Sequence, residues 1–178
     1  MIVLFGKTCS GKTTVAKKLE ETAGISKVVT VTTRERRPDE ISGVDYIFVS
    51  QDEFNAMKEE GKFAETADFV MSGNRHVSYG SLREDYEDGE EKVIVLTPSG
   101  LRAVRDAGIP VFAVYLSLDN ETIKKRLVIR GDDPLEAARR LRADDIDFAG
   151  AEKLADLVID AAACPYLNAM RIADAAEH

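Results

Sequence analysis

Apolar residues in this chain gather in short unbroken runs, separated by longer segments where they recur every three or four positions. Ile2-Val3-Leu4-Phe5 has no polar alternation and ends at a glycine, the pattern of a parallel strand buried on both faces. Val28-Val29-Thr30-Val31, Val93-Ile94-Val95-Leu96 and Val111 to Leu116 read the same way, and Leu157-Val158-Ile159 predicts a last strand. A helix is expected from about Gly11 to Ala23, with Val15, Ala16, Leu19 and Ala23 on its inner face and Gly24 near its end. Further helical patterns cover Gln51 to Glu60, Ser99 to Ala107, Asn120 to Ile129, Leu135 to Phe148 and Tyr166 to Ala176. Strand and helix alternate, which predicts an α/β protein with a mainly parallel sheet covered by helices on both faces.

Two segments break this rhythm. Thr32 to Glu91 is polar and rich in Arg, Asp, Glu and Gly, with strand-like pieces such as Tyr46-Ile47-Phe48-Val49, and reads as an inserted substrate-binding subdomain. Arg126 to Arg140 is charged and would suit a mobile lid. At 178 residues the chain fits one globular domain. A net charge of -8 argues against a general nucleic-acid or anionic-membrane binder, although Arg and Lys can still converge locally on an anionic substrate. Cys9 and Cys164 form neither a metal-spaced set nor a disulfide framework. The first apolar run is too short for a signal peptide or membrane span, so a cytoplasmic protein is expected.

Between the first strand and the first helix, Gly6-Lys7-Thr8-Cys9-Ser10-Gly11-Lys12-Thr13 fits G-x-x-x-x-G-K-[ST] in full. The glycines let the backbone turn tightly, so that successive N–H groups point into a concavity sized for phosphate. The helix beginning there adds its positive N-terminal end. Lys12 can reach the β- and γ-phosphates, and the Thr13 hydroxyl can ligate Mg²⁺. Thr14 extends the expected nucleotide-contacting set into the helix, and Cys9 reads as a small loop residue. The expectation is a P-loop NTPase-type three-layer fold that binds a nucleoside triphosphate; the loop is silent about a second substrate.

That substrate is addressed by Thr30-Val31-Thr32-Thr33-Arg34-Glu35-Arg36-Arg37, continuing to Tyr46. By residue chemistry alone this is equally a solvated charged loop or an anion site in which Arg34 and Arg37 fork onto a phosphomonoester. The segment resembles guanylate kinase, whose pattern T-T-R-x-x-R-x-x-E-x-x-G-x-D-Y-x-F-V is matched by Thr32-Thr33-Arg34, Arg37, Glu40, Gly43, Asp45-Tyr46 and Phe48-Val49. The similarity continues through Asp52-Glu53-Phe54, Phe63-Ala64-Glu65 and Tyr79-Gly80-Ser81. It resumes more loosely at Lys125-Arg126-Leu127, Arg130-Gly131 and Arg139-Arg140-Leu141.

The resemblance implies that Arg34, Arg37, Tyr46 and Tyr79 hold the acceptor phosphate, that Glu65 and Ser81, with Thr30 nearby, read the base, and that Arg126, Arg130 and Arg140 clamp the transferring phosphoryl group alongside Lys12. Guanine suits such a pair, because a carboxylate accepts from N1 and N2 while a hydroxyl donates to O6; adenine would set a lone pair against Glu65. Two plainer readings stay open: Glu65 as a strand-edge acid, and Arg140 as an i,i+4 surface partner of Glu136. On this resemblance residues 1–178 form one domain, with a core of about 1–31, 92–125 and 142–178, a monophosphate-binding insert of about 32–91 and a lid of about 126–141.

Some positions depart from the family pattern. Typical members carry acids where this chain has Val95 and Thr97, which leaves Thr13, water and nucleotide oxygens as the evident magnesium ligands. The connection from Val70 to Ser78 is longer than usual, with His76 in it read as a solvent-facing turn residue, and the lid is one residue shorter. The implied activity is ATP- and Mg²⁺-dependent phosphorylation of GMP, and of dGMP, by a monomer or homodimer without nucleic-acid or membrane partners. The alternatives are a monophosphate kinase of shifted base specificity and a non-catalytic binding module of the same fold.

Overall fold

Ile2–Phe5 (β1) is buried throughout and leads through a loop into Lys12–Ala23 (α1). Ser26–Lys27 (β2), Val31–Thr32 (β3), Ile47–Phe48 (β4) and Gln51–Glu59 (α2) follow. Then come Phe63–Met71 (β5), Arg75–Leu82 (β6), Glu84–Glu87 (α3), Lys92–Val95 (β7) and Pro98–Asp106 (α4). Phe112–Ser117 (β8), Asn120–Arg130 (α5), Pro134–Asp147 (α6), a 3-10 turn at Ala151–Leu154, Leu157–Asp160 (β9) and Pro165–Ala176 (α7) complete the order. The computed structural model describes residues 1–38, 40–71, 74–87 and 91–177. They form two compact units, one of Met1–Lys27, Glu91–Pro98 and Val111–His178, the other of Val28–Glu90 and Ser99–Pro110.

The first unit is built on a five-stranded sheet in the order β2-β7-β1-β8-β9, with every pairing parallel. On one face Ile2, Leu4, Val93, Val114, Leu116 and Ile159 bury against Val15, Ala16 and Leu19 of α1 and Ala169 and Ile172 of α7. Because side chains alternate along a strand, Val3 and Phe5 point to the other face, where the Phe5 ring lies 5.2 Å from that of Tyr115 and Tyr115 lies 6.4 Å from Phe148. Both faces are thereby covered, as expected for a doubly covered parallel sheet. Gly24 in the left-handed conformation closes α1, its N–H bonding Leu19 O.

The second unit carries a four-stranded sheet in the order β4-β3-β6-β5, in which β5 and β6 form a long antiparallel hairpin. Its core is Val31, Phe54 and Phe63, with the two phenyl rings stacked at 4.5 Å. Ser50 and Glu53 form a reciprocal capping box that starts α2 and so places Phe54. A bulge between Phe63 and Glu65 shifts the β5 register, and a Cβ on Gly80 would fall 2.7 Å from the Phe63 ring; only glycine fits there.

The six expected helices begin and end within a residue of their limits, and α3 is not among them; one expected strand differs. The expected strand Val28 to Val31 is divided: Ser26–Lys27 pairs with β7 in the first sheet, whereas Val31–Thr32 pairs with β4 and β6 in the second. The chain passes from one unit to the next at Lys27–Val28, and a continuous apolar run cannot show such a crossing. The long connection around His76 is part of the hairpin: Val70 pairs with His76 and Met71 with Arg75, and Ser72 and Gly73 lie outside the described residues. His76 is exposed. Residues expected to form the lid are the end of α5, a turn closed by Gly131, and α6, which opens with Asp133 as N-cap and Pro134 in its first turn.

Candidate functional site

In the first unit the loop between β1 and α1 leaves the carboxyl end of the central strand, the usual ligand position of a parallel sheet. Gly6 approaches β8 so closely that a Cβ there would stand 2.6 Å from Leu116 O and 2.8 Å from Ser10 Oγ. Cys9 takes a positive φ of 54°, which costs a side-chain-bearing residue roughly 1–2 kcal/mol and shows how tightly the loop is wound. Among the described residues Ser10 Oγ, which is buried, meets no hydrogen-bond partner, a polar atom left to be satisfied inside the loop. Lys12 Nζ donates to Gly6 O at 2.7 Å and Lys7 O at 2.8 Å, so its charge is held in the loop's concavity. Burial brings its pKa down to about 8, with Asp144 opposing that shift. Thr13 and Thr14 are exposed at the start of α1.

Residues the sequence reading did not single out complete this half. Asp144, on α6, places Oδ2 2.5 Å from the Thr8 N–H, where a phosphate oxygen would sit in a loop of this kind. Burial raises its pKa, and the Thr8 N–H and the Lys12 charge counter that rise. Next to it Asp145 accepts from Lys7 Nζ at 2.6 Å, and Asn120 Oδ1 accepts from the same ammonium at 3.0 Å. Of the three arginines expected to clamp phosphate, Arg126 lies over the loop, donating to Cys9 O at 3.0 Å and Ala161 O at 2.9 Å. Arg130 forks onto Asp132 at 2.5 Å, and Arg140 donates to Glu136 Oε1 at 2.8 Å. Glu136 also takes a fork from Arg139, and these hydrogen bonds, Arg139's first, hold its carboxyl down at about 2. The i,i+4 pair of Glu136 and Arg140 is therefore present.

In the second unit Thr32 and Thr33 tie the start of the arginine segment to β6: Thr32 Oγ1 donates to Ser78 O, Thr33 Oγ1 accepts from Ser78 N–H, and Thr32 Oγ1 accepts from Arg34 N–H. Arg34 is thus delivered beside Tyr79, donating from Nε to its hydroxyl at 3.2 Å, with its guanidinium 5.3 Å from the centre of the Tyr46 ring. Glu40 gathers the cations, accepting from Arg34 Nη2 at 2.6 Å and Arg37 N–H at 2.8 Å, with Arg37 Nη1 3.8 Å away. Burial works to raise the Glu40 pKa, but the hydrogen bonds from Arg34 and Arg37 outweigh it and hold the carboxyl below its usual range. Arg34, Tyr46 and Tyr79 stand together, with Arg37 joined to them through Glu40. A cluster of two guanidiniums and two phenols can take a phosphate dianion.

Farther along the hairpin Glu65 and Ser81 face each other across β5 and β6, and the bulge at Ala64 sets that register. Glu65 is 8% exposed and Ser81 fully buried; Ser81 Oγ donates to Glu65 Oε1 at 2.9 Å. Burial raises the Glu65 pKa, and the hydrogen bonds from Ser81 limit the rise. A strand-edge acid in solvent would show neither feature. Thr30 enters through its backbone, accepting from Ile47 N–H just before β3. Tyr86, on α3, lies 2.8 Å from Ser81 Oγ and joins this polar pair.

A parallel α/β sheet with a full phosphate loop at its central strand defines a P-loop nucleotide-binding protein. The guanylate kinase family matches residues 1–161. The chain is 35% identical over 167 residues to a guanylate kinase of Mycobacterium leprae, covering 90% of this chain and 78% of that one. With a guanylate kinase of Bifidobacterium longum it shares 36% over 170 residues, covering 89% and 84%. The crystal structure of guanylate kinase from Anaplasma phagocytophilum superposes with a TM-score of 0.75 at 26% identity, covering 99% of this chain and 84% of that one. The chain belongs to the guanylate kinase family and is a nucleoside monophosphate kinase.

Proposed function

We propose that this chain transfers the γ-phosphoryl group of ATP to GMP, and to dGMP, releasing ADP and the diphosphate. The observation that carries the acceptor assignment is the buried Glu65–Ser81 pair, in the unit that also gathers Arg34, Tyr46 and Tyr79. An ionised Glu65 accepts from N1 and N2 of guanine while Ser81 donates to O6. Arg34, Arg37, Tyr46 and Tyr79 hold the acceptor phosphate. A phosphate oxygen of GMP attacks the γ-phosphorus, the bond to the β,γ-bridging oxygen breaks, and its electron pair leaves on ADP. Such a transfer requires positioning and charge stabilisation rather than a covalent intermediate. Gly6 to Thr14 cradle the triphosphate, and Lys12 compensates the charge on its β- and γ-oxygens. Arg126 reaches the same phosphates from above the loop; Arg130 and Arg140 contribute once they exchange their carboxylate partners for phosphate.

Magnesium fits this donor set as a companion of the nucleotide. Among the described residues no group of three His, Cys, Asp or Glu is placed to hold a metal ion. What the chain offers is the exposed Thr13 hydroxyl beside the phosphate loop, which suits Mg²⁺, an ion that keeps several waters and takes its other ligands from phosphate. When bound it neutralises charge on the β- and γ-oxygens. The enzyme works in the cytoplasm, where both nucleotides are available, as a monomer or homodimer.

Initial rates of ADP formation against GMP, dGMP, AMP, CMP, UMP and dTMP test the assignment. GMP and dGMP are expected to lead the others in kcat/KM by orders of magnitude, and Glu65→Gln is expected to shrink that lead while Lys12→Ala abolishes turnover with every acceptor. An unchanged lead in Glu65→Gln would remove Glu65 from base recognition.

A further inference from the structure

Ser81 has one hydroxyl proton, and two oxygens compete for it: Glu65 Oε1 at 2.9 Å and the Tyr86 hydroxyl at 2.8 Å. An ionised carboxylate only accepts, so Ser81 donates to Glu65, and the contact with Tyr86 is a hydrogen bond only if Tyr86 is the donor. The order is therefore Tyr86 O–H to Ser81 Oγ, and Ser81 O–H to Glu65. Burial pushes the Tyr86 phenol above its ordinary value, which keeps it a neutral donor at every working pH. The backbone that carries this side chain is pinned where Tyr86 N–H bonds Arg83 O in the turn that follows β6.

We propose that Tyr86 is a specificity-determining positioning residue of the acceptor site, which makes the Ser81 hydroxyl a one-way donor toward the 6-position of the purine. The proposal rests on the reading of Glu65 and Ser81 as the base site. A serine hydroxyl by itself can donate or accept, and so tolerates either a 6-oxo or a 6-amino group. With Tyr86 donating into Ser81 Oγ, the serine proton must point elsewhere. When N1–H and N2–H of guanine occupy Glu65, that proton turns to O6. A 6-amino group would instead bring a donor against a donor, with an unmatched polar contact in a buried pocket. Tyr86 acts through Ser81 in this scheme, so its influence falls on recognition of the base and not on the phosphoryl step.

Three acceptors separate the contributions. GMP has the 6-oxo and 2-amino groups, and IMP lacks only the 2-amino group. 2,6-Diaminopurine riboside monophosphate replaces the 6-oxo with a 6-amino group and the N1–H with a lone pair facing Glu65, a second penalty that is the same with Tyr or Phe at position 86 and cancels between the two enzymes. In Tyr86→Phe the kcat/KM ratio of GMP to the diaminopurine nucleotide is expected to fall about tenfold, the worth of one oriented hydrogen bond. The loss should lie in KM for GMP with kcat preserved, and the ratio of GMP to IMP, which reports on Glu65, should stay within about twofold. In a Ser81→Ala background the same change should have no further effect on the diaminopurine ratio. A merely structural role would lower kcat or move both ratios together, and either result overturns the proposal, as does an unchanged diaminopurine ratio. Should Tyr86→Phe fail to fold, 3-fluorotyrosine at position 86 keeps the shape while strengthening the donor; the diaminopurine ratio should then rise, and a ratio that does not move counts against Tyr86. Wild-type enzyme that does not favour GMP over the other acceptors defeats the base-site reading itself. Wild-type enzyme that favours GMP, with a ratio indifferent to Tyr86, defeats only the role of Tyr86.

Discussion

The Lys12 ammonium must be charged to hold triphosphate oxygens, yet burial in its loop brings its pKa down to about 8, against the pull of Asp144. A bound triphosphate sets negative charge beside the same group and raises that pKa again. Near pH 8.5 a part of the free enzyme carries a neutral Lys12, so ATP binding there should take up a proton; near pH 6.5 Lys12 is already charged and its share of the uptake disappears. Titration calorimetry in two buffers of different ionisation enthalpy measures this directly, and a buffer-independent heat near pH 8.5 would contradict it. Lys12 was legible in the sequence because its loop is eight consecutive positions. Asp144 was not, since its contact with Thr8 spans 136 residues and exists only after α6 reaches the phosphate loop. Tyr86 escaped notice for a related reason: it lies five positions from Ser81, in a helix of four residues too short to show periodicity.

Among the elements, α6 concentrates the groups that the pattern alone left undecided. Its first turns hold Glu136 between Arg139 and Arg140, and a later turn carries Asp144 and Asp145 to the phosphate loop. Helical spacing revealed the Glu136–Arg140 pair, because residues four apart share a face. It could not reveal which of the acids Asp144, Asp145 and Asp147 would turn toward the loop, since that depends on how the helix is rotated about its axis. The consequence is a competition: Asp144 accepts from the Thr8 N–H that a phosphate oxygen would use. Asp144→Asn removes the negative charge from that position and should lower KM for ATP about fivefold, the worth of a carboxylate at a helix N-terminus, with kcat changed little. A raised KM would mean that Asp144 works with the nucleotide rather than against it. The hairpin of β5 and β6 teaches a similar lesson. Glu65 and Ser81 were recognisable by resemblance, but their pairing depends on a bulge beside Phe63, and a bulge leaves no periodic trace in the sequence.

At the scale of the whole molecule, each anion site belongs to one unit: the phosphate loop with Arg126, Asp144 and Asp145 to the first, and Arg34, Tyr46, Glu65, Tyr79, Ser81 and Tyr86 to the second. The hydrogen bonds named for each set join residues of its own unit. Binding of one nucleotide therefore does not require the other, and each should stabilise the unit that holds it. At a ligand concentration about a hundred times Kd the gain is about 2.7 kcal/mol, enough to slow amide exchange roughly a hundredfold wherever exchange needs that unit to open. Hydrogen exchange followed by mass spectrometry should show GMP alone protecting peptides from β5 and β6 and leaving Gly6 to Thr13 unchanged. ATP with Mg²⁺ should do the reverse. Arg34→Ala should abolish the first pattern and spare the second, while Lys12→Ala does the opposite. Protection of β5 and β6 by ATP alone, equal to that produced by GMP, would show that the two sites are energetically one.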